Sequence, residues 1–188
     1  MNSNLINVLS QIVDTEIVVS KRENPHETIS TIETIYDVTL PPTYKEFLLH
    51  YGGSFIKEDR MYQPIEKSPI THKDGFNSIS FFYGITNDSF SIEKAIQDYL
   101  EKIGTGVMPI ADAYGGDLIC LGLKEEYRDK IYYWYHEEET IGEDGKELFY
   151  LIANNFEEFI MKFTPRKREK NVNLEEVEII LDEDLLKD

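Results

Sequence analysis

One cysteine, one tryptophan, four histidines and 19 basic residues are few for a chain of 188, and each scarcity removes a class of function. Cys120 alone allows neither an intrachain disulfide nor a cysteine metal cluster. It stands in the apolar run Leu118 to Leu123, where a thiol is expected to act as a small buried hydrophobe rather than a nucleophile. His26, His50, His72 and His136 show no metal-ligand spacing. His136-Glu-Glu-Glu139 lacks the second histidine that must follow four residues later for two ligands to share one helical face. No serine sits in a Gly-x-Ser-x-Gly elbow, and the glycine pairs lack the lysine of a phosphate loop. The expectation is a non-enzyme with no cofactor and no metal. No apolar run approaches the roughly 20 residues that span a bilayer. The start Met1-Asn-Ser-Asn-Leu-Ile-Asn has neither the basic nor the apolar stretch of a secretory leader, so a cytoplasmic location is expected.

Basic residues are outnumbered by 36 acidic ones, which gives a formal net charge of -17 and a pI near 4.6. A field of that sign repels nucleic acid and anionic membranes and favours basic partners. It also keeps a chain soluble, which is the plainer reading. Against these scarcities stand 12 tyrosines and 10 phenylalanines, enough aromatic surface for both a core and a contact face.

The chain is organised around Val107 to Asp117, an apolar segment running into Tyr114-Gly-Gly-Asp117 and then into the apolar Leu118 to Leu123. Two strands joined by a tight reversal are expected there. Upstream, Leu5, Val8, Leu9 and Ile12 have helical spacing. Asn24-Pro25-His26-Glu27 reads as a helix start with Asn24 as cap, and Ile29, Ile32 and Tyr36 follow as its buried stripe. Pro42 opens a third helix through Tyr44, Phe47, Leu48 and Tyr51, which Gly52-Gly53 should stop in a left-handed turn. A short strand is expected near Met61 to Ile65 and another at Ile79 to Tyr83. A helix capped by Ser91 should then run to Ile103.

Ile131 to His136 is a strand by its aromatic content, with Ile131, Tyr133 and Tyr135 on one face and Tyr132, Trp134 and His136 on the other. Which face points inward is open. An acidic loop, Glu137 to Glu147, precedes a strand at Leu148 to Ala153 and a helix capped by Asn155, with Phe156, Phe159, Ile160 and Phe163 as its stripe. Thr164-Pro165 should close the domain. Leu174 to Asp188 could form an amphipathic helix or add a strand through Val177 to Leu181.

Leu40-Pro-Pro-Thr-Tyr44 with Phe47 and Leu48, Gly52-Gly53, Met108 to Asp112 with Gly115-Gly116-Asp117, Lys130 to Trp134, and Leu151 to Phe159 occur in the order found in the SUKH superfamily. The chain resembles the branch that includes fungal cell-wall synthesis regulators and bacterial immunity proteins, over roughly Glu27 to Phe163. The resemblance implies an α+β fold with a mixed or mainly antiparallel sheet flanked by helices. It divides the chain into an N-terminal helical extension at 1–23, a domain at 24–164 and a charged tail at 165–188. It implies an immunity protein, or antitoxin, that binds a cognate toxin, in many cases a nuclease, without catalysis. A regulatory scaffold using the same fold is the alternative.

Asp112 and Asp117 are expected to accept turn hydrogen bonds rather than to work as an acid and base, since no histidine or lysine is expected beside them to complete a site. The expected partner face combines Asp112, Tyr114, Asp117 and Trp134 with Glu137, Glu138, Glu139, Glu143 and Asp144. Carboxylates beside aromatic rings suit a basic, nuclease-like surface.

Overall fold

A computed structural model describes residues 1–17, 22–124, 127–137 and 149–166. Among the described residues, five α-helices and seven strands follow one another as α1 (Ser3–Ile12), α2 (Pro25–Tyr36), α3 (Pro42–Tyr51), β1 (Arg60–Tyr62), β2 (Phe81–Phe82), α4 (Ile92–Ile103), β3 (Val107–Asp112), β4 (Leu118–Gly122), β5 (Ile131–Trp134), β6 (Tyr150–Ala153), α5 (Phe156–Met161) and β7 (Phe163–Pro165). Strands β2 to β6 form an antiparallel meander in chain order, and β1 pairs with β7 in a separate two-stranded sheet. The architecture is α+β.

The helical spacings give helices at those positions, but two caps differ from expectation. Asn24 has left-handed backbone geometry and makes no capping hydrogen bond with its side chain. Proline at the first helical position, with its fixed φ, starts α2 instead. Ser91 also leaves α4 uncapped. The Asp88 carboxylate organises that approach, accepting from Thr86 Oγ1 at 2.8 Å and from the Phe90 amide at 3.0 Å. At the end of α3 it is Gly53, with φ +83, that turns left-handed, while Gly52 keeps φ -55. Asn155 does cap α5, its Oδ1 accepting from the Glu158 amide at 2.8 Å.

Both faces of β5 are inside, because Ile131, Tyr132, Tyr133 and Trp134 are all buried. Tyr99 of α4 lies edge-on to Trp134 at 6.0 Å, so α4 covers one face. Tyr133 points the other way, toward Tyr62, whose ring meets Phe159 of α5 at 5.3 Å. On that side Phe47 packs on Phe82 at 4.7 Å and on Phe156 at 4.8 Å, joining α3, β2 and α5. Helix α1 docks on α5 and places Leu5, Leu9 and Ile12 in the same core.

The five-stranded sheet presents little open edge. Beside β6 the Glu66 amide donates to Leu151 O at 2.8 Å, and the Glu66 carboxylate accepts from the Leu151 amide at 2.7 Å. Beside β2 the Phe82 amide donates to Ser54 O at 2.9 Å and the Ile56 amide to Ser80 O at 3.0 Å. The strand expected over Ile79 to Tyr83 is thus reduced to Phe81–Phe82 and flanked by irregular chain. Residues Phe163–Pro165, expected only to close the domain, pair with β1. The tail beyond 166 lies outside the described residues, and so does Leu148.

Gly84 is where two segments cross at a separation that only glycine permits. A Cβ there would lie 2.2 Å from Gly53 N and 2.4 Å from Gly52 C, both backbone atoms. Gly84→Ala is therefore expected to cost at least about 2 kcal/mol of stability. Denaturant unfolding followed by tryptophan fluorescence checks this, and an unchanged midpoint would contradict the close crossing.

Candidate interaction face at the end of the sheet

Strand β3 ends at Asp112 and β4 begins at Leu118, leaving a turn whose backbone is tied at three points. The Ala113 amide donates to Asp117 O at 3.0 Å and the Asp117 amide to Tyr114 O at 3.1 Å. The Tyr114 amide donates to Asp112 Oδ1 at 3.1 Å. Tyr114, Gly115 and Gly116 have φ of +68, +66 and +100. Glycine adopts such angles freely, whereas a residue with a Cβ is penalised by roughly 1–2 kcal/mol. Tyr114 bears that strain at the turn's apex with 49% of its surface exposed. Its phenol feels Ser80 and the negative charges of Glu58 and Asp112. Partial burial, followed by those negative charges, holds the phenol above its usual range.

Asp117 is buried, and three donors converge on its carboxylate. The Tyr133 hydroxyl donates to Oδ2. The His136 amide reaches Oδ1 at 3.0 Å, and the His136 ring Nδ1 reaches the same oxygen at 2.6 Å. Burial, then the bond to Asp117, pushes the Tyr133 phenol far up, so it remains a proton donor throughout the ordinary range. The same contacts offset the large cost of holding a carboxylate away from water.

Asp112 serves the opposite face of the sheet. It pairs in register with Phe81 and Leu118, and Leu118 pairs with Trp134, so its side chain falls on the α4 side. Burial raises its carboxyl above the usual range, Asp117's charge adds to that, and the Tyr114 amide opposes both. The two aspartates feel each other's charge but do not converge on a common point.

Of the expected face, Asp112 and Tyr114 share the β3–β4 turn, and Glu137 follows the end of β5 that pairs with the start of β4. Glu137 is exposed and accepts a hydrogen bond from Tyr135 Oη. Trp134 does not reach the surface: it is 4% exposed, packed under α4 by the strand alternation. Asp117 is likewise interior, its carboxylate turned to Tyr133 and His136. Glu138, Glu139, Glu143 and Asp144 lie outside the described residues.

The structure corrects one expectation directly, since a histidine does adjoin Asp117. His136 stands 19 residues away in sequence, so no local pattern links the two. The signal that would have found it is strand register: extending Leu118↔Trp134 by two residues sets Gly116 opposite His136. Glu58 and Ser80 come from segments with no recognisable motif.

Two comparisons bear on this arrangement. The sequence profile described as the SMI1 / KNR4 family (SUKH-1) matches residues 25–162. The chain is also similar to the SPbeta prophage-derived uncharacterized protein YokK of Bacillus subtilis (strain 168), with 34% identity over 174 residues, covering 87% of each chain.

Two substitutions test the local physics. Asp117→Ala strands the Tyr133 hydroxyl and the His136 donors and should cost about 3 kcal/mol, measured by urea unfolding. Asp112→Asn should act in the opposite direction. A carboxyl whose folded pKa is raised favours folding more as pH falls, so the charged form opposes folding near neutrality. The variant is expected to be more stable than the parent at pH 7, and the gap should close as pH is lowered through the Asp112 titration.

Proposed function

Because the chain belongs to the SMI1 / KNR4 family (SUKH-1), we propose that it is an immunity protein that neutralises a cognate bacterial toxin by stoichiometric binding. The toxin is a basic protein of the nuclease kind, and the bound chain covers its nucleic-acid face. The observation carrying this reading is the end of the sheet, where a tied turn presents Tyr114 within the field of Glu58 and Asp112, and exposed Glu137 follows the strand that pairs with β4. An aromatic anchor held in one conformation loses little entropy on binding, and the surrounding carboxylates favour cationic groups. From Glu137 the sequence continues into Glu138, Glu139, Glu143 and Asp144, which extend the same sign of charge. A relative named as prophage-derived suits a role in competition between mobile elements.

Toxin binding is tested by pull-down with the product of the neighbouring gene, followed by rescue of cells that express it. Rescue supports neutralisation. A neighbour that is no toxin, with no rescue, favours a regulatory scaffold instead.

Within such a complex, the association rate should fall about tenfold or more between low and high salt. Charge reversal at Glu137, Glu138 and Glu139 should remove most of that dependence. Stopped-flow rates indifferent to both salt and reversal would refute the electrostatic reading. Tyr114→Gly separates binding from folding. It relieves the left-handed strain, so stability should hold or rise by up to about 1 kcal/mol, while loss of the ring should weaken affinity about thirtyfold.

A further inference from the structure

His136 carries one ring nitrogen inward and keeps 39% of its side chain exposed. Its placement is fixed from three directions. Nδ1 and the backbone amide both bond Asp117 Oδ1, at 2.6 and 3.0 Å. The ring lies over Gly116, where an added Cβ would sit 3.6 Å from its Cγ and Cδ2, in ordinary contact. The Tyr135 ring stands edge-on at 5.9 Å.

An ionised carboxylate only accepts hydrogen bonds, so a nitrogen 2.6 Å from it must bear a proton. In the neutral imidazole that leaves Nε2 unprotonated, an acceptor on the exposed side of a ring that cannot turn over without giving up Asp117. A fixed acceptor of this kind recognises a donor and rejects another acceptor. The donors that match the chain's net charge of -17 are ammonium and guanidinium groups.

We propose that His136 is a contact residue of this face, held by Asp117 in the Nδ1–H tautomer so that Nε2 accepts a hydrogen bond from an arginine or lysine side chain of a basic protein partner. This rests on the partner-binding reading above but not on the partner's being a toxin, and its first test needs no toxin.

The full chain, labelled with 15N, is titrated at about pH 8, where a free imidazole is neutral, with N-acetyl-arginine amide and N-acetyl-lysine amide. Long-range 15N correlation spectra follow all four histidines. The expected result is an Nδ1–H tautomer for His136, and a saturable movement of its Nε2 signal greater than that of His26, His50 or His72. Asp117→Ala, which removes the acceptor altogether, should lose both the tautomer and the movement. An Nε2–H tautomer, a ring still protonated at that pH, or equal movement at all four histidines would overturn the assignment.

If the pull-down supplies a partner, two isosteres divide contact from support. His136→Asn places a donor near Nδ1 and can keep the tether to Asp117, but it has nothing at Nε2. His136→Gln reaches the Nε2 position without that tether. A contact role predicts that His136→Gln retains at least tenfold more affinity than His136→Asn, while a purely structural role predicts the reverse order. If the neighbouring gene product does not bind, the toxin reading fails while the titration still decides the acceptor.

Discussion

The carboxylate of Asp117 is the constraint on which this end of the molecule depends. Burying a charge is costly unless donors replace its water, and here they come from the middle of β5, from the residues just past its end and from a histidine ring. One side chain at the end of the β3–β4 turn therefore fixes two things together: the path of the chain leaving β5 and the orientation of His136. Because each donor would be stranded if the acceptor were lost, the arrangement is cooperative. The turn can then hold Tyr114 in a backbone conformation that tyrosine disfavours.

What the sequence disclosed and what it concealed divide by range. Helices α1 to α5 were legible because i, i+3, i+4 spacing is local, as were β3, β4 and β5, whose residues are apolar or aromatic throughout. The reversal at Gly115-Gly116 was legible from composition. The partners of Asp117 were not, since they are set by the pairing Leu118↔Trp134, a tertiary fact. Trp134 shows the complementary failure: alternation separates two faces but does not say that α4 covers one while α3 and α5 cover the other. Asn24 and Ser91 have the residue type of a cap without its hydrogen bond, because proline and Asp88 already organise those entries.

The sheet's edges narrow how another protein could attach. Adding a strand requires a free row of amides and carbonyls. Glu66 occupies that row at β6, partly with its side chain, and Ser54 to Ile56 occupy it at β2. Recognition through this domain's main sheet must then rely on side chains. At the β3–β4 turn those side chains come from β3, from the turn, from the residues after β5 and from the otherwise irregular Glu58 and Ser80.

Charge and geometry on this face act at different stages of an encounter. A net charge of -17 is felt at long range, but salt screens exposed charges within about 8 to 10 Å at ordinary ionic strength, so its main effect is on how often a basic partner arrives. Residence time depends on contacts that exclude water, where a ring or an acceptor already held in place loses little freedom. Tyr114, by its turn, and His136, by Asp117, have that property. A carboxylate on a long, solvated side chain must be ordered at the moment of contact, whereas the Asp117 network has already ordered the histidine. In the proposed complex, then, the acidic surroundings favour a class of partner, and the tied turn with its neighbouring imidazole selects within that class.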